Sequence, residues 1–98
     1  MKEITTSELQ QLLENGERPS MIDVREADEI AAGMIEGAVH IPLGEVPVRM
    51  NELERATPYI MICRSGGRSG RASEFLADEG YDVTNMVGGM LEWQGETK

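Results

Sequence analysis

The residues best able to do chemistry stand together in one short segment: Cys63, Arg64, Ser65, Gly66, Gly67, Arg68 and Ser69. Cys63 is the only cysteine of the chain, and a thiolate is a strong nucleophile. The two glycines let the backbone curl so that successive N–H groups point at one spot, as in an anion-binding nest. The segment therefore predicts a nucleophilic cysteine in a pocket for a small anion.

Several features of this segment should lower the pKa of the Cys63 thiol below its free value of about 8.5. The N–H groups of the loop, the N-terminus of the following helix and the two arginines all favour the thiolate. A lowering of roughly two units requires about 2.7 kcal/mol of preferential stabilisation, which a few charge-assisted contacts can supply. We expect an exposed loop with Cys63 at the rim or centre of the nest.

The elements that must position this loop alternate between strand and helix. The continuous apolar run at 59–62 is followed at once by turn residues, which predicts a central buried strand ending at Cys63. Further strands are predicted at 20–24, 38–41 and 83–86, with helices between them. Parallel neighbours need crossover connections, so the pattern predicts an α/β fold with helices on both faces of a parallel sheet. Such sheets bind ligands at the carboxyl ends of their strands.

Two side-chain arrangements are also predicted around the loop. On the helix that follows it, Ala72, Phe75 and Leu76 have the spacing of an apolar stripe that faces the core. Earlier in the chain, Arg25 and Glu29 are four residues apart and are expected to pair across one helical turn, which would fix the strand-to-helix connection.

Composition restricts the class of protein. The 98 residues, 40% of them apolar, suit one domain spanning 1–98. The net charge of −9 argues against nucleic acid or an anionic membrane as a partner. One cysteine and one histidine provide neither an intramolecular disulfide nor a zinc site. The sequence has no signal-peptide or membrane-spanning run, so we expect a cytoplasmic monomer that uses no metal or organic cofactor.

Charge is distributed unevenly along this acidic chain. Three of the nine basic residues, Arg64, Arg68 and Arg71, fall within eight positions, and the run from 59 to 73 contains no acidic side chain. A cationic spot on an acidic body suits a small anionic ligand.

The chain also resembles the rhodanese family over nearly its whole length. The residues that look like the first motif of the family are Asp23-Val24-Arg25, Glu29, Gly33, Ile35, Gly37-Ala38 and Ile41-Pro42. Those that look like its closing motif are Gly80-Tyr81, Gly88-Gly89-Met90 and Trp93. One departure is Met34, because the family commonly has histidine between this glycine and isoleucine. We expect the change to affect packing or a loop hydrogen bond more than chemistry.

The resemblance implies a rhodanese-like three-layer fold with a five-stranded parallel sheet, and it implies sulfurtransferase activity. Cys63 would take sulfane sulfur from a small anionic donor such as thiosulfate and carry it as a persulfide. The acceptor would be cyanide, a thiol or a protein. Arg64 and Arg68 would hold the donor, and backbone N–H groups from Arg64 through Ser69 would stabilise the persulfide.

Two other functions remain open at this point. A phosphatase or arsenate reductase also uses a cysteine in an anion-binding loop, but such a loop needs five residues between cysteine and arginine. Only four separate Cys63 from Arg68. A rhodanese-like module without catalysis would bind a partner, and loss of the cysteine would be its usual sign. The physiological donor and acceptor are not determined by the sequence.

Overall fold

A computed structural model describes residues 2–98 of the chain. The strands are β1 (Lys2–Thr5), β2 (Ser20–Asp23), β3 (Val39–His40), β4 (Tyr59–Ile62) and β5 (Val83–Val87). They form one sheet in the order β1-β5-β4-β2-β3, and every neighbouring pair is parallel. The predicted parallel sheet is therefore confirmed, with β4 at its centre.

The helices are α1 (Thr6–Glu14), α2 (Ala27–Ile30), α3 (Val46–Arg49), α4 (Gly67–Asp78) and α5 (Gly89–Glu92). A capping box of the Thr-x-x-Glu type opens α1, where the Glu8 N–H donates to Thr5 Oγ1 at 3.0 Å and the Thr5 N–H donates to Glu8 Oε1 at 2.9 Å. Strand β1 was not among the strands predicted from hydrophobic pattern. It is a short, mostly exposed edge strand that runs directly into α1, so it has neither an apolar run nor a turn to mark it.

Successive residues of the central strand face opposite sides of the sheet, and helices cover both sides. Ile60 and Ile62 pack in one cluster with Leu9 of α1. Met61 packs in the other cluster with Leu76 of α4. Cys63 continues the alternation and belongs to the cluster beneath α4. The strand thus places the start of the loop directly under the helix that follows it.

One predicted side-chain position is wrong. Phe75 is 36% exposed, so it does not belong to the core-facing stripe of α4. The buried row consists of Ser69, Ala72, Ser73 and Leu76. At 3.6 residues per turn this row already fills the side of α4 that faces the sheet, and Phe75 lies beside it.

The segment around Met34 lies away from the cysteine loop. The Met34 backbone exchanges two hydrogen bonds with Lys98, at 3.1 Å and 2.8 Å, and so holds the end of the chain. No helix within residues 2–98 is long and apolar enough to cross a membrane.

Candidate functional site

The loop between β4 and α4 wraps around the sulfur of Cys63. Gly66 adopts a φ of +101° immediately before α4, and its N–H donates to Cys63 Sγ at 2.9 Å. The Ser69 hydroxyl donates to the same sulfur at 3.3 Å. Cys63 is 0% exposed, so it lies at the buried centre of the nest. The loop is exposed at Arg64, Ser65 and Gly67, as predicted, but the cysteine itself is buried, because α4 and the curled backbone cover it.

The surroundings of the sulfur favour its anionic form. Burial alone raises the pKa of the Cys63 thiol, but the Ser69 hydroxyl and the N–H groups of Ser69, Gly66 and Ser65 hold the pKa below its ordinary value. These groups form the positive end of α4 and its preceding turn, where an anion is stabilised. The sulfur is therefore prepared to act as a nucleophile or to carry a negative charge.

A buried amide from the neighbouring strand supports this nest. Asn85 of β5 is 4% exposed, and its Nδ2 donates to the Gly66 carbonyl oxygen at 3.1 Å. Its Oδ1 lies 2.5 Å from Ser69 Oγ, which donates to it. Asn85 thus contacts both of the residues that donate to Cys63. Sequence reasoning missed it, although an asparagine inside a predicted apolar strand is a usable signal.

The loop is also held from the other side by the turn before α5. The N–H groups of Met90 and Leu91 donate to the carbonyl oxygens of Cys63 and Arg64, both at 2.9 Å. Gly89 has a φ of +59°, and a Cβ there would lie 2.4 Å from the Arg64 carbonyl oxygen. Only glycine allows the two backbones to approach this closely.

The two predicted donor-binding arginines have different environments. The Arg68 guanidinium makes two hydrogen bonds of 2.6 Å to the carboxylate of Glu29, so both arms of its fork are engaged within the protein. Arg64 is exposed, and no acidic side chain within residues 2–98 forms a salt bridge with it. In the described part of the chain, neither guanidinium forms a hydrogen bond to Cys63 Sγ. The sulfur is contacted by the Ser69 hydroxyl and by the Gly66 N–H.

The predicted pairing of Arg25 with Glu29 is wrong. Arg25 instead binds Asp23 through its Nη2 at 2.8 Å and its Nε at 3.0 Å, in a pair that is almost completely buried. Its Nη2 also donates to the Gly33 carbonyl oxygen at 2.9 Å. The four-residue rule failed because α2 begins only at Ala27, so Arg25 precedes the helix.

The remaining loop residues lie around the nest without their side chains contacting the sulfur. Ser65 and Gly67 are exposed, while the Ser65 N–H is among those that stabilise the thiolate. His40 lies at the end of β3, with Nε2 2.6 Å from the Arg25 carbonyl oxygen. Within residues 2–98 no group of three histidine, cysteine or acidic side chains is arranged to hold a metal ion.

A depression of about 810 Å³ lies elsewhere on the described surface. It is lined by residues of α1, by Arg18, by 35–37 and by 93–96, with none from the cysteine loop. The groups that contact Cys63 instead form a compact nest around its sulfur atom.

Comparisons with known proteins agree with this architecture. The sequence profile of the rhodanese-like domain matches residues 5–96. YtwF of Bacillus subtilis is 45% identical over 98 residues, which cover 100% of this chain and 95% of YtwF. A protein of Allochromatium vinosum named "Sulfurtransferase" is 37% identical over 94 residues, covering 95% of this chain and 88% of that protein.

Solved structures give the same result for the fold. The rhodanese-like domain protein from Staphylococcus aureus superimposes with a TM-score of 0.94 at 35% identity, covering 100% of this chain and 97% of that one. A protein from Staphylococcus saprophyticus gives a TM-score of 0.96 at 32% identity, covering 100% and 99%. Profile, sequence and structure therefore agree that this chain belongs to the rhodanese-like family.

Proposed function

We propose that this protein is a sulfurtransferase that carries sulfane sulfur as a persulfide on Cys63. The observation that carries the proposal is the nest itself, in which the Gly66 N–H and the Ser69 hydroxyl converge on a single sulfur atom at 2.9 Å and 3.3 Å. Membership of the rhodanese-like family supports it, as does the similarity to the Allochromatium vinosum protein named as a sulfurtransferase. We propose a small anionic sulfane-sulfur compound such as thiosulfate as the donor, and a thiol or cyanide as the acceptor.

In the first half-reaction the Cys63 thiolate attacks the outer sulfur of thiosulfate. A new S–S bond forms to Cys63, the S–S bond of the donor breaks, and its electron pair leaves with sulfite. Total charge is conserved, because thiolate and thiosulfate become persulfide anion and sulfite. Since Cys63 has no exposed surface, the donor can reach it only when the covering residues of the loop move outward.

In the second half-reaction an incoming nucleophile takes the terminal sulfur and the Cys63 thiolate is restored. Between the two steps the persulfide carries a negative charge next to the N–H groups of Ser65, Gly66 and Ser69, which stabilise it. No proton needs to be stored on a side chain for either step. This fits a site whose polar groups are hydrogen-bond donors. The single histidine of the chain, His40, contacts the Arg25 carbonyl oxygen and not the sulfur.

The rival functions have less support. A phosphatase loop must surround a tetrahedral oxyanion and present an arginine to it. Here the Cys63 loop is one residue shorter, and the arginine at its end is bound by Glu29. A partner-binding module without catalysis has no need of a cysteine whose pKa is lowered by surrounding donors.

The direct test is the intact mass of the reduced protein after incubation with thiosulfate. We expect one sulfur atom to be added, and cyanide to remove it. The Cys63→Ser variant should remain folded, because a serine oxygen can accept the same hydrogen bonds, and should gain no sulfur. Ser65→Ala is the matched control and should gain sulfur like the parent, because it changes the loop but keeps its N–H group. If no sulfane donor adds sulfur to the parent, the proposal is wrong, and phosphate, arsenate and then partner binding should be tested.

A further inference from the structure

Glu29 binds both terminal nitrogens of the Arg68 guanidinium. The two contacts are parallel and both 2.6 Å long, and the side chains are only 24% and 27% exposed. A bidentate pair that is this well shielded holds its geometry better than an ordinary surface ion pair. The arginine at the end of the cysteine loop is therefore neutralised by a carboxylate from α2, 39 positions away in the sequence.

Arg68 lies close to the reacting sulfur, because it directly precedes Ser69, whose hydroxyl donates to Cys63 Sγ. Hydrogen bonding to Glu29 raises the pKa of Arg68, and the negative charge of the Cys63 thiolate raises it further. The bonds from Arg68, followed by one from the Glu26 N–H, lower the pKa of Glu29 to about 2. Glu29 is therefore ionised at every pH at which the protein would work, and its charge is a constant feature of the approach to Cys63.

Two other arginines near the loop carry positive charges that an incoming donor meets. Arg64 and Arg71 are exposed, and in the described part of the chain no salt bridge involves either of them. A donor that approaches the loop meets these solvated charges and, beside them, an ion pair that contributes no net charge. Each additional negative charge on the donor is attracted less than it would be if the Arg68 guanidinium were unoccupied.

We propose that Glu29 is a specificity-determining residue: by occupying Arg68 it selects singly charged sulfane donors over doubly charged ones such as thiosulfate. The proposal rests on the sulfurtransferase function proposed above and refines the class of donor. It assigns Arg68 a role different from the one predicted from sequence, because the guanidinium then holds Glu29 and does not hold the donor.

Two donors that transfer the same atom allow a clean comparison. Thiosulfate carries two negative charges, and methanethiosulfonate carries one. Attack of the Cys63 thiolate on the outer sulfur of either forms the same persulfide anion. The S–S bond of thiosulfate breaks to release sulfite, whereas the terminal sulfur–sulfur bond of methanethiosulfonate breaks to release methanesulfinate. The leaving group takes the electron pair in both cases. Methanethiosulfonate has a methyl group where thiosulfate has a third oxygen, and the difference in leaving group cancels when the parent and a variant are compared with the same two donors.

The variant that tests the proposal is Glu29→Gln, which removes the charge but keeps an oxygen to accept from the Glu26 N–H, now at 2.8 Å. At a separation of about 6 Å between the Glu29 charge and the donor in a water-like dielectric, removing one unit charge changes the kcat/KM of a singly charged donor by about threefold. It changes that of a doubly charged donor by about tenfold. Both values should rise, and the preference for methanethiosulfonate over thiosulfate should fall about threefold. Asp28→Asn is the matched control, because Asp28 is exposed on the same short helix and has no contact with Arg68.

A double variant identifies the source of the gain. If the released guanidinium attracts the donor, Glu29→Gln combined with Arg68→Gln should lose the gain seen in Glu29→Gln alone. If the double variant keeps the full gain, Arg68 has no part in donor selection and the proposal is wrong.

Binding without transfer separates this proposal from the sulfurtransferase function. In the Cys63→Ser protein, calorimetric titration with thiosulfate and methanethiosulfonate should show the same threefold change in relative affinity when Glu29 is replaced by glutamine. An unchanged ratio overturns the proposal, whatever the transfer assay gives. If the ratio changes but the parent protein gains no sulfur from either donor, the role of Glu29 in anion selection is supported and the sulfurtransferase function is overturned instead.

Discussion

The amide of Asn85 lies directly against the hydroxyl of Ser69, with Oδ1 2.5 Å from Oγ. Because Nδ2 of the same amide donates to the Gly66 carbonyl oxygen, the orientation of the amide is determined, and its oxygen must face the serine. The single Ser69 proton therefore has three acceptors within reach: Asn85 Oδ1, the sulfur of Cys63 and the Gly66 carbonyl oxygen. A strand residue that never touches the sulfur thereby influences the group that does.

Replacing Ser69 by alanine should raise the pKa of the Cys63 thiol. The hydroxyl donates to the sulfur and lowers its pKa, and a hydrogen bond to a charged group contributes about 1.5–3 kcal/mol, so loss of this donor raises the pKa. The pH dependence of alkylation by iodoacetamide measures this pKa. Ser65→Ala should leave it unchanged, since that hydroxyl does not contact the sulfur. Equal pKa values in parent and Ser69→Ala would contradict the assignment of the hydroxyl as a donor to the thiolate.

Asn85→Ala should lower the free energy of unfolding by about 1–3 kcal/mol, because the buried Ser69 hydroxyl and Gly66 carbonyl group each lose a partner. Urea denaturation provides the measurement. Thr84→Ala is a suitable control from the same strand, since Thr84 is half-buried and no side-chain hydrogen bond of it occurs within residues 2–98. If both variants unfold at the same urea concentration, the amide does not support the loop.

Gly89→Ala should disturb the cysteine loop from outside. The added Cβ would lie 2.4 Å from the Arg64 carbonyl oxygen, and the φ of +59° is unfavourable for alanine. We expect a loss of about 2 kcal/mol or more in unfolding free energy, and a higher Cys63 pKa in the pH dependence of its alkylation, because the N–H groups of the nest are displaced from the sulfur. Gly44→Ala is the control, because a Cβ there meets no atom within 4 Å. Unchanged stability of Gly89→Ala would mean that the α5 turn does not constrain the loop.

Glu29 should make stability depend on acid pH. Its pKa is about 2 in the folded protein and 4.5 in the absence of these contacts, so its contribution is complete above about pH 4.5 and is lost as the pH falls towards 2. The difference in melting temperature between parent and Glu29→Gln should therefore be largest above pH 4.5 and shrink towards pH 2. Asp28→Asn should show no such trend. A difference that stays constant across this range would indicate that Glu29 is not ion-paired.

The sequence by itself determined the features that depend on neighbouring residues. The apolar run of β4, the capping box at Thr5 and the glycine pair after Cys63 are local patterns, because strand burial, helix capping and loop curvature each involve residues a few positions apart. They were sufficient to predict the parallel α/β fold and to select the cysteine loop as the candidate site. Strand β1 was not predicted, because a short exposed edge strand carries no such pattern.

Only the tertiary structure decided which side chains meet at the site. Glu29 reaches Arg68 across 39 positions, and Asn85 reaches Ser69 across 16, because the sheet order places β5 and β2 on either side of β4. Spacing in the sequence instead suggested Arg25 as the partner of Glu29, whereas in the structure Arg25 forms its ion pair with Asp23. Cys63 could be identified as the nucleophile from the sequence alone. The ion pair and the buried amide beside it depend on contacts between elements far apart in the sequence, which no local pattern encodes.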